Sequence, residues 1–284
     1  MQTRRPSGRL LALAFAALLV TGLPATVSAA EPLPECAVGD TLTPHRTLAD
    51  WTRAVLDTDY RLSSAHKPTD LRSTSTAGLN GGSKVRRFVI PDLRRMATAA
   101  RKARARFSVQ SGYRSYATQQ STFAYWVKVH GYAYALTESA RAGHSEHQLG
   151  TALDLRSYGG RAPWDIADWG RTRAGTWLRK NAWKYGFVMS YPKGQSAATC
   201  YMYEPWHFRY VGRTTAKKVH DSGLTLRAYL WQRQTTPRRH RRPRPSRPRP
   251  RIRRPRPSRH RPAESGDARS ADLTRRRGPR AAVS

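Results

Sequence analysis

Residues 143–154 read GHSEHQLGTALD and join a polar loop to a short apolar run. His147 lies in the loop, and Asp154 lies in the run 151–155, which has the length and composition of a strand. A second stretch, YEPWH at residues 203–207, leads into another strand candidate over 206–211. Because each stretch sets an imidazole and a carboxylate beside a strand, we predict that the two stretches meet at a sheet.

Hydrophobic spacing outside these stretches predicts a mixed architecture. Apolar residues recur at helical intervals over about 46–62, 90–106, 116–129 and 172–185. Strand patterns occupy 107–111 and 187–189. Helices and strands do not alternate regularly, which favours the α+β class over a parallel α/β sheet. We therefore expect a single compact domain with a small antiparallel sheet flanked by helices.

Composition divides the chain into four segments. Residues 1–30 have the basic start, apolar run and small residues of a signal peptide, which predicts secretion and leaves cleavage or anchoring open. Residues 31–45 form a proline-containing leader, and residues 46–233 are long enough for one core. Residues 234–284 are an Arg/Pro-rich tail that lacks the apolar residues needed to fold, so we expect disorder.

The two cysteines, Cys36 and Cys200, are far apart in the sequence. Export to an oxidising compartment would allow them to form one disulfide between the leader and the loop before Glu204. Two independent thiols are the alternative.

The charge of the chain is strongly positive and uneven. The formal net charge is +34, of which residues 1–30 carry +3 and residues 237–284 carry +15, so that +16 remains on residues 31–236. Such a surface predicts an anionic partner. Export favours anionic cell-wall polymers or lipid head groups, bound through the tail, over nucleic acid, for which the domain carries no motif.

Two histidines and one carboxylate suffice for a zinc site with its fourth position left for water. His147, Asp154 and His207 are the candidate ligands. A hydrolase also needs a base for that water, and Glu204 lies three residues before His207. Pro205 between them excludes a helical arrangement of the pair. From the residues alone, histidines in purely structural roles remain an alternative.

The motif S-x-H-x-x-G-x-A-x-D at residues 145–154 resembles the signature of the LAS metallopeptidases, which include VanY-like D-alanyl-D-alanine carboxypeptidases and L,D-carboxypeptidases of peptidase family M15. Similarity continues in SGYRS at 111–115, around 181–187, and in EPWHFRYVG at 204–212. It covers about residues 58–213. Several motifs in the family's order make the resemblance specific.

The resemblance implies a role for each matched residue. His147, Asp154 and His207 would bind Zn²⁺. Glu204 would be the general base, taking a proton from the attacking water and passing it to the leaving amine. Arg114 would stabilise the oxyanion of the reaction or hold the substrate, a use suited to a fixed positive charge.

Further roles concern the residues around this set. Gln119 and Ser145 would contact the terminal residue of the substrate, although Ser145 could equally be a turn residue that fixes the loop of His147. Glu146 is expected to be a solvated neighbour of His147. Trp206 could line the pocket.

Together with the signal peptide and the basic tail, the resemblance predicts a secreted, wall-associated and monomeric zinc carboxypeptidase that removes the C-terminal D-alanine from peptidoglycan stem peptides. An L,D-carboxypeptidase or a peptidoglycan endopeptidase of the same fold is the nearest alternative. A binding protein for polyanions or cell walls with a structural metal is a third possibility. Glu204 and Arg114 argue against the third, because a structural metal site needs neither.

Overall fold

Four antiparallel strands form the central sheet of the protein, seen in a computed structural model that describes residues 31–236. The strands of the described chain are β1 Thr41–Leu42, β2 Tyr60–Arg61, β3 Leu71–Ser73, β4 Lys84–Arg86, β5 Phe107–Ser111, β6 Ala152–Ser157, β7 Phe187–Met189 and β8 His207–Tyr210. The helices are α1 Ile90–Lys102, α2 Tyr116–His130, α3 Tyr132–Glu138, α4 Arg173–Asn181, α5 Ser196–Thr199, α6 Arg213–Ser222 and α7 Leu226–Thr235. The combination confirms the α+β class.

The strand order in the central sheet is β5-β6-β8-β7. Strand β6 pairs with β8 so that Asp154 lies directly opposite His207. Ser111, at the end of β5, is the partner of Asp154 on the other side. Directly opposed residues share a face of the sheet, so the register alone brings Asp154 and His207 together.

Helix α1 covers one face of this sheet. Its buried residues Leu93, Met96 and Ala100 belong to the main core cluster. Pro91 lies in the first turn, where its missing N–H costs nothing. The helix predicted over 90–106 ends at Lys102, because Arg104 has a left-handed backbone with φ of 56°.

Strand β8 presents different side chains to its two faces, because successive residues of a strand alternate. Phe208 and Tyr210 join the main core cluster. His207 and Arg209 are buried on the opposite face, where both contact Glu146. One short strand therefore serves both the core and the candidate site.

The helix predicted over 46–62 is wrong, because residues 47–53 form turns and 60–61 form β2. The apolar residues of this segment serve three separate clusters. Trp51 packs against the main core, Val55 joins a second cluster near α6 and α7, and Leu56 joins a third. Residues whose contacts lie in different directions cannot share one helical face, so the spacing was misleading.

Other predicted elements are confirmed. The helix predicted over 116–129 is α2, and the helix predicted over 172–185 is α4 followed by a 3-10 turn over Ala182–Tyr185. The strands predicted over 107–111 and 187–189 are β5 and β7. The sequence patterns did not predict α3, α6, α7 and the short strands β1 to β4.

The leader is fastened to the folded body. Strand β1 pairs in parallel with β2, and Cys36 forms the predicted disulfide with Cys200. At the other end, α7 continues to Thr235, so the predicted start of the tail at residue 234 falls inside a helix. Residues 1–30 and 237–284, with the predicted signal peptide and most of the tail, lie outside the described residues. Within residues 31–236, none of the helices combines the length and apolar character needed to span a membrane.

Candidate metal centre and active site

His147 lies in a 3-10 turn over Glu146–Leu149 that connects to β6. The Ser145 hydroxyl accepts a hydrogen bond from the His147 backbone N–H at 3.3 Å and caps the start of the turn. Gly150 closes the turn with φ of 71°, a conformation that favours glycine. Nδ1 of His147 lies 2.6 Å from the carbonyl oxygen of Gly112, which orients the ring.

Gly112 passes so close to β4 that a side chain would not fit. A Cβ at this position would lie 2.6 Å from the carbonyl oxygen of Lys84. The close passage of this segment beside β4 therefore requires glycine. The carbonyl oxygen of Gly112 pairs with Nδ1 of His147, and Nε2 of the same ring is therefore the nitrogen available to a metal.

The three predicted ligands are brought together and buried. The candidate ligand atoms of His147, Asp154 and His207 all lie within 4.8 Å of one another. Nε2 of His147 lies 3.1 Å from Oδ2 of Asp154, and Nδ1 of His207 lies 3.1 Å from Oδ1. Nε2 of His147 is buried, and its 3.1 Å contact with Oδ2 of Asp154 lacks the geometry of a hydrogen bond. A buried imidazole nitrogen close to a carboxylate but not hydrogen-bonded to it fits a shared cation, and this donor set fits zinc.

Glu146 is buried rather than solvated as predicted, with only 5% of its surface exposed. Its Oε2 lies 3.0 Å from Nε2 of His207 and accepts a hydrogen bond from Ser190 at 2.6 Å. Its Oε1 accepts a hydrogen bond from Arg209 at 2.8 Å. Glu146 thus holds one nitrogen of His207 and turns the other, Nδ1, toward Asp154. Carboxylates that orient metal-binding histidines in this way commonly strengthen the site.

Charge balance explains why Glu146 can be buried. Arg209 is buried as well, and it also donates to the carbonyl oxygens of Trp51 and Ala54. Burial raises the pKa of Glu146, but the charge of Arg209 and the bond to His207 outweigh it and lower this pKa to about 2. Burial lowers the pKa of His207, but hydrogen bonds with Asp154 and Glu146 raise it to about 10. The pocket around His207 is therefore built to hold positive charge.

Glu204 lies at the mouth of this cluster. The backbone N–H of His207 donates to the carbonyl oxygen of Glu204 at 3.1 Å, which forms a turn. Oε2 of Glu204 lies 3.7 Å from Nδ1 of His207. Burial, supported by the charge of Asp154, raises the pKa of Glu204 to about 8. A carboxyl group that can hold or release a proton near neutral pH is suited to general acid–base chemistry.

Arg114 follows β5 and its backbone N–H donates to the carbonyl oxygen of His147 at 3.4 Å. Burial lowers the pKa of His147, and the positive charge of Arg114 lowers it further. Nε of Arg114 is buried without a hydrogen-bond partner in residues 31–236. The side chain lines the cavity beside the metal ligands, where a fixed guanidinium can bind a negatively charged group.

These residues line an open cavity of about 480 Å³, large enough for a small peptide. His147, Asp154, His207, Glu204 and Ser145 are among its polar residues. The other lining residues include six aromatic ones, namely Tyr125, Trp126, Trp164, Tyr191, Tyr201 and Trp206. Trp206 therefore lines the pocket, which is one of the roles that the sequence allowed for it.

Gln119 differs from the other predicted site residues. It is buried, and its Nε2 donates to the carbonyl oxygen of Ala140 at 2.6 Å. It therefore supports the segment that leads into the loop of His147. Its contact with substrate stays a prediction.

Comparison with known proteins agrees with this geometry. A family model described as VanY, D-alanyl-D-alanine carboxypeptidase, matches residues 82–213. The chain is 36% identical to the putative carboxypeptidase YodJ of Bacillus subtilis, over 62% of this chain and 66% of that protein. It is 35% identical to a D-alanyl-D-alanine carboxypeptidase of Enterococcus faecalis, over 54% of this chain and 58% of that protein. The matches thus span about two thirds or less of these curated relatives.

Solved structures similar to this chain are also carboxypeptidases and VanY-type peptidases. The LD-carboxypeptidase LdcB matches with a TM-score of 0.59 and 30% identity, over 69% of this chain and 98% of LdcB. A mutant of the vancomycin-resistance D,D-pentapeptidase VanY in complex with Zn(II) matches with a TM-score of 0.55 and 28% identity, over 63% of this chain and 99% of VanY. The 30% identity over 98% of the LdcB chain, together with the VanY model matched over residues 82–213, shows that the chain belongs to the VanY family.

Proposed function

We propose that the protein is a zinc-dependent carboxypeptidase that hydrolyses the C-terminal D-alanine from peptidoglycan stem peptides. The observation that carries this proposal is the buried group of His147, Asp154 and His207 with Glu204 beside it, at the base of an open cavity. Family membership supports the substrate class. A metal of purely structural use would not need a further carboxyl group beside its three ligands.

Three atoms of the chain would hold the zinc ion, namely Nε2 of His147, a carboxylate oxygen of Asp154 and Nδ1 of His207. Zinc supplies a lowered pKa of bound water and polarisation of the scissile carbonyl. Glu146 contributes by keeping Nε2 of His207 occupied, so that Nδ1 stays directed at the metal position.

The remaining steps belong to side chains around the cavity. Glu204 accepts a proton from the attacking water as the water's oxygen bonds to the carbonyl carbon. It then donates this proton to the nitrogen of the departing D-alanine as the C–N bond breaks. Arg114 lies where it can stabilise the negative charge that develops on the carbonyl oxygen, or bind the substrate carboxylate. Ser145, with Tyr191 and Trp206 from the aromatic lining, would position the terminal residue.

A second candidate is L,D-carboxypeptidase activity on a stem that has already lost its terminal D-alanine. The similarity to LdcB over 98% of that chain supports it. Both reactions would use the same proton transfers by Glu204. They differ in the stem length that the cavity accepts.

Mass spectrometry of synthetic stem peptides tests the proposal. The protein, incubated with a pentapeptide and a tetrapeptide stem, is expected to release D-alanine from the pentapeptide and to lose this activity with a zinc chelator. Release from the tetrapeptide alone would favour the L,D activity. Glu204→Gln should retain zinc while the rate falls by about 10²- to 10⁴-fold. Unchanged activity in this variant would contradict the assigned base.

We further propose that the protein acts as a monomer outside the cell at the wall. The disulfide between Cys36 and Cys200 supports an oxidising compartment. The tail, with its +15 charge over residues 237–284, is proposed to bind anionic wall polymers or lipid head groups. A protein ending at Thr236 should then bind isolated walls more weakly than the full chain at low salt. Equal binding would refute the role of the tail.

A further inference from the structure

Helices α2 and α3 form a hairpin that contributes little to the core. Among the described residues of the hairpin, Gln119 and Ala135 are the buried ones. The hairpin nevertheless exposes large aromatic side chains, with Tyr125 59% and Tyr134 48% exposed. Contiguous exposed apolar groups of this kind commonly mark an interaction surface.

Four rings of the hairpin form a continuous row, here called the aromatic track. The track consists of the exposed Tyr125 and Tyr134 and, between them, Trp126 and His130. The ring centroids are 5.2 Å apart between Tyr125 and Trp126, and 5.4 Å between Trp126 and His130, which stack at 11°. The centroids of His130 and Tyr134 are 5.0 Å apart.

The aromatic track is continuous with the catalytic cavity. Tyr125 and Trp126 line that cavity together with the metal ligands, whereas Tyr134 is not part of its lining. Thr118 also lines it, so the cavity follows about 12 Å of α2 between Thr118 and Trp126. An extended five-residue stem reaches about 17 Å. The far end of a stem whose C-terminus lies at the metal ligands can therefore reach the track.

The charge of the hairpin indicates what it binds. Residues 116–138 contain one lysine and one glutamate, so their formal charge is zero, whereas residues 31–236 carry +16. A surface for anionic polymers or lipid head groups would use the abundant arginines and lysines. Exposed rings without net charge instead suit pyranose sugars, whose C–H groups stack on the negative faces of aromatic rings. The interplanar angles of 71° between Tyr125 and Trp126 and 53° between His130 and Tyr134 turn the outer rings away from the plane of the stacked central pair.

We propose that the aromatic track binds the glycan strand to which the stem peptide is attached. This inference rests on the proposed function, because it takes the substrate to be a peptidoglycan stem. Stacking of successive sugars along the track holds the glycan while the stem enters the cavity. The track thereby favours stems on polymeric glycan over free peptides.

Binding of a neutral N-acetylglucosamine oligomer to the full-length protein tests the proposal without any catalysis. Calorimetry in 0.5 M NaCl, where charge interactions are largely screened, is expected to show binding. Tyr134→Ala should weaken it about fivefold, the effect of losing one ring contact. Tyr134→Phe keeps the ring and should bind like the wild type. Tyr158→Ala, which removes a 58% exposed tyrosine away from the cavity, is the matched control.

Three results would overturn the proposal. These are equal affinity in all four proteins, loss of binding in 0.5 M NaCl, and an effect of Tyr134→Ala on lipid vesicles or self-association instead of on the oligomer. Circular dichroism establishes that the variants are folded, and Tyr125→Ala provides a second ring deletion. Release of D-alanine from a free pentapeptide by the wild type tests the proposed function separately. Oligomer binding without any such release would refute that function and leave the sugar-binding surface intact.

Discussion

The two faces of β8 use buried charge for different purposes. On one face, His207 and Arg209 meet the carboxylate of Glu146. On the other face, the Tyr210 hydroxyl donates to Asp92 on α1 at 2.9 Å. Asp92 also accepts from Arg213 at 2.6 Å. Both carboxylates are buried and paired with arginine, yet only the first one touches a metal ligand.

The difference teaches that burial and pairing alone do not identify a functional carboxylate. Arg209 is buried, so Glu146 and Arg209 must compensate each other away from water. Arg213 is about half exposed, so its pair with Asp92 is partly solvated. We therefore expect the Glu146 face to govern zinc binding and the Asp92 face to govern stability.

Arg209→Met should have the largest effect on stability. It breaks the buried ion pair of Glu146 and leaves His207 and Ser190 as the partners of the carboxylate, and breaking a buried pair typically costs about 3 to 5 kcal/mol. Urea unfolding would measure the loss. Arg213→Met, on the other face, is the control and should cost clearly less, because Arg213 is about half exposed and Asp92 keeps Arg95 and Tyr210 as partners. Equal losses in the two variants would remove the distinction between the faces.

Glu146→Gln should weaken zinc binding about 10- to 100-fold, as expected when the carboxylate that orients a metal-binding histidine loses its charge. Competition with a chelator of known affinity would measure it. Asp92→Asn is the same chemical change on the opposite face and should leave zinc affinity unchanged. Similar zinc affinities of the two variants would show that Glu146 does not position His207.

Asp92→Asn should instead lower the free energy of unfolding at neutral pH by about 2 kcal/mol, because it weakens charge-assisted hydrogen bonds. Burial raises the pKa of Asp92, but the hydrogen bonds of Arg213, Tyr210 and Arg95 outweigh it and lower this pKa. The stabilisation is thus complete above the unfolded pKa, about 3.9, and is lost as pH falls through the lower folded value. Unfolding of both proteins across this range should show their stabilities converging in acid. A constant difference would contradict the linkage.

Tyr210→Phe should have the smallest effect. It removes one hydrogen bond to Asp92, worth about 1 kcal/mol, while the arginines remain as partners. Thermal unfolding would detect it. A loss as large as that of Asp92→Asn would mean that the hydroxyl, not the arginines, stabilises this carboxylate.

The sequence predicted that His147, Asp154 and His207 come together, with Glu204 nearby, because these residues belong to two short motifs. Helix α1 was predictable because its buried residues recur on one face, and strand β5 because Phe107 and Val109 alternate with polar residues. Glu146 was missed because its partner, Arg209, is 63 positions away and meets it only where the 3-10 turn before β6 contacts β8. The alternation of His207 and Arg209 along β8 was the available signal that both share a face.

The segment 46–62 failed for the opposite reason. Its apolar residues have helical spacing, but Trp51 and Val55 pack into different clusters. Periodicity reports a common face only where one neighbour covers the whole segment. Contacts that diverge in space cannot be recognised from spacing along the chain.

The bridge between Cys36 and Cys200 has a practical consequence for protein production. It joins positions 164 residues apart, and Cys200 precedes Tyr201 of the cavity wall. The carbonyl oxygens of Glu31 and Pro32 accept hydrogen bonds from Trp231, so the leader is also bound to α7. A protein beginning at residue 46 would lack these hydrogen bonds and the disulfide, and Cys200 would be a free thiol next to the cavity wall. Expression should therefore start at or before Glu31 and take place in an oxidising compartment, such as a bacterial periplasm.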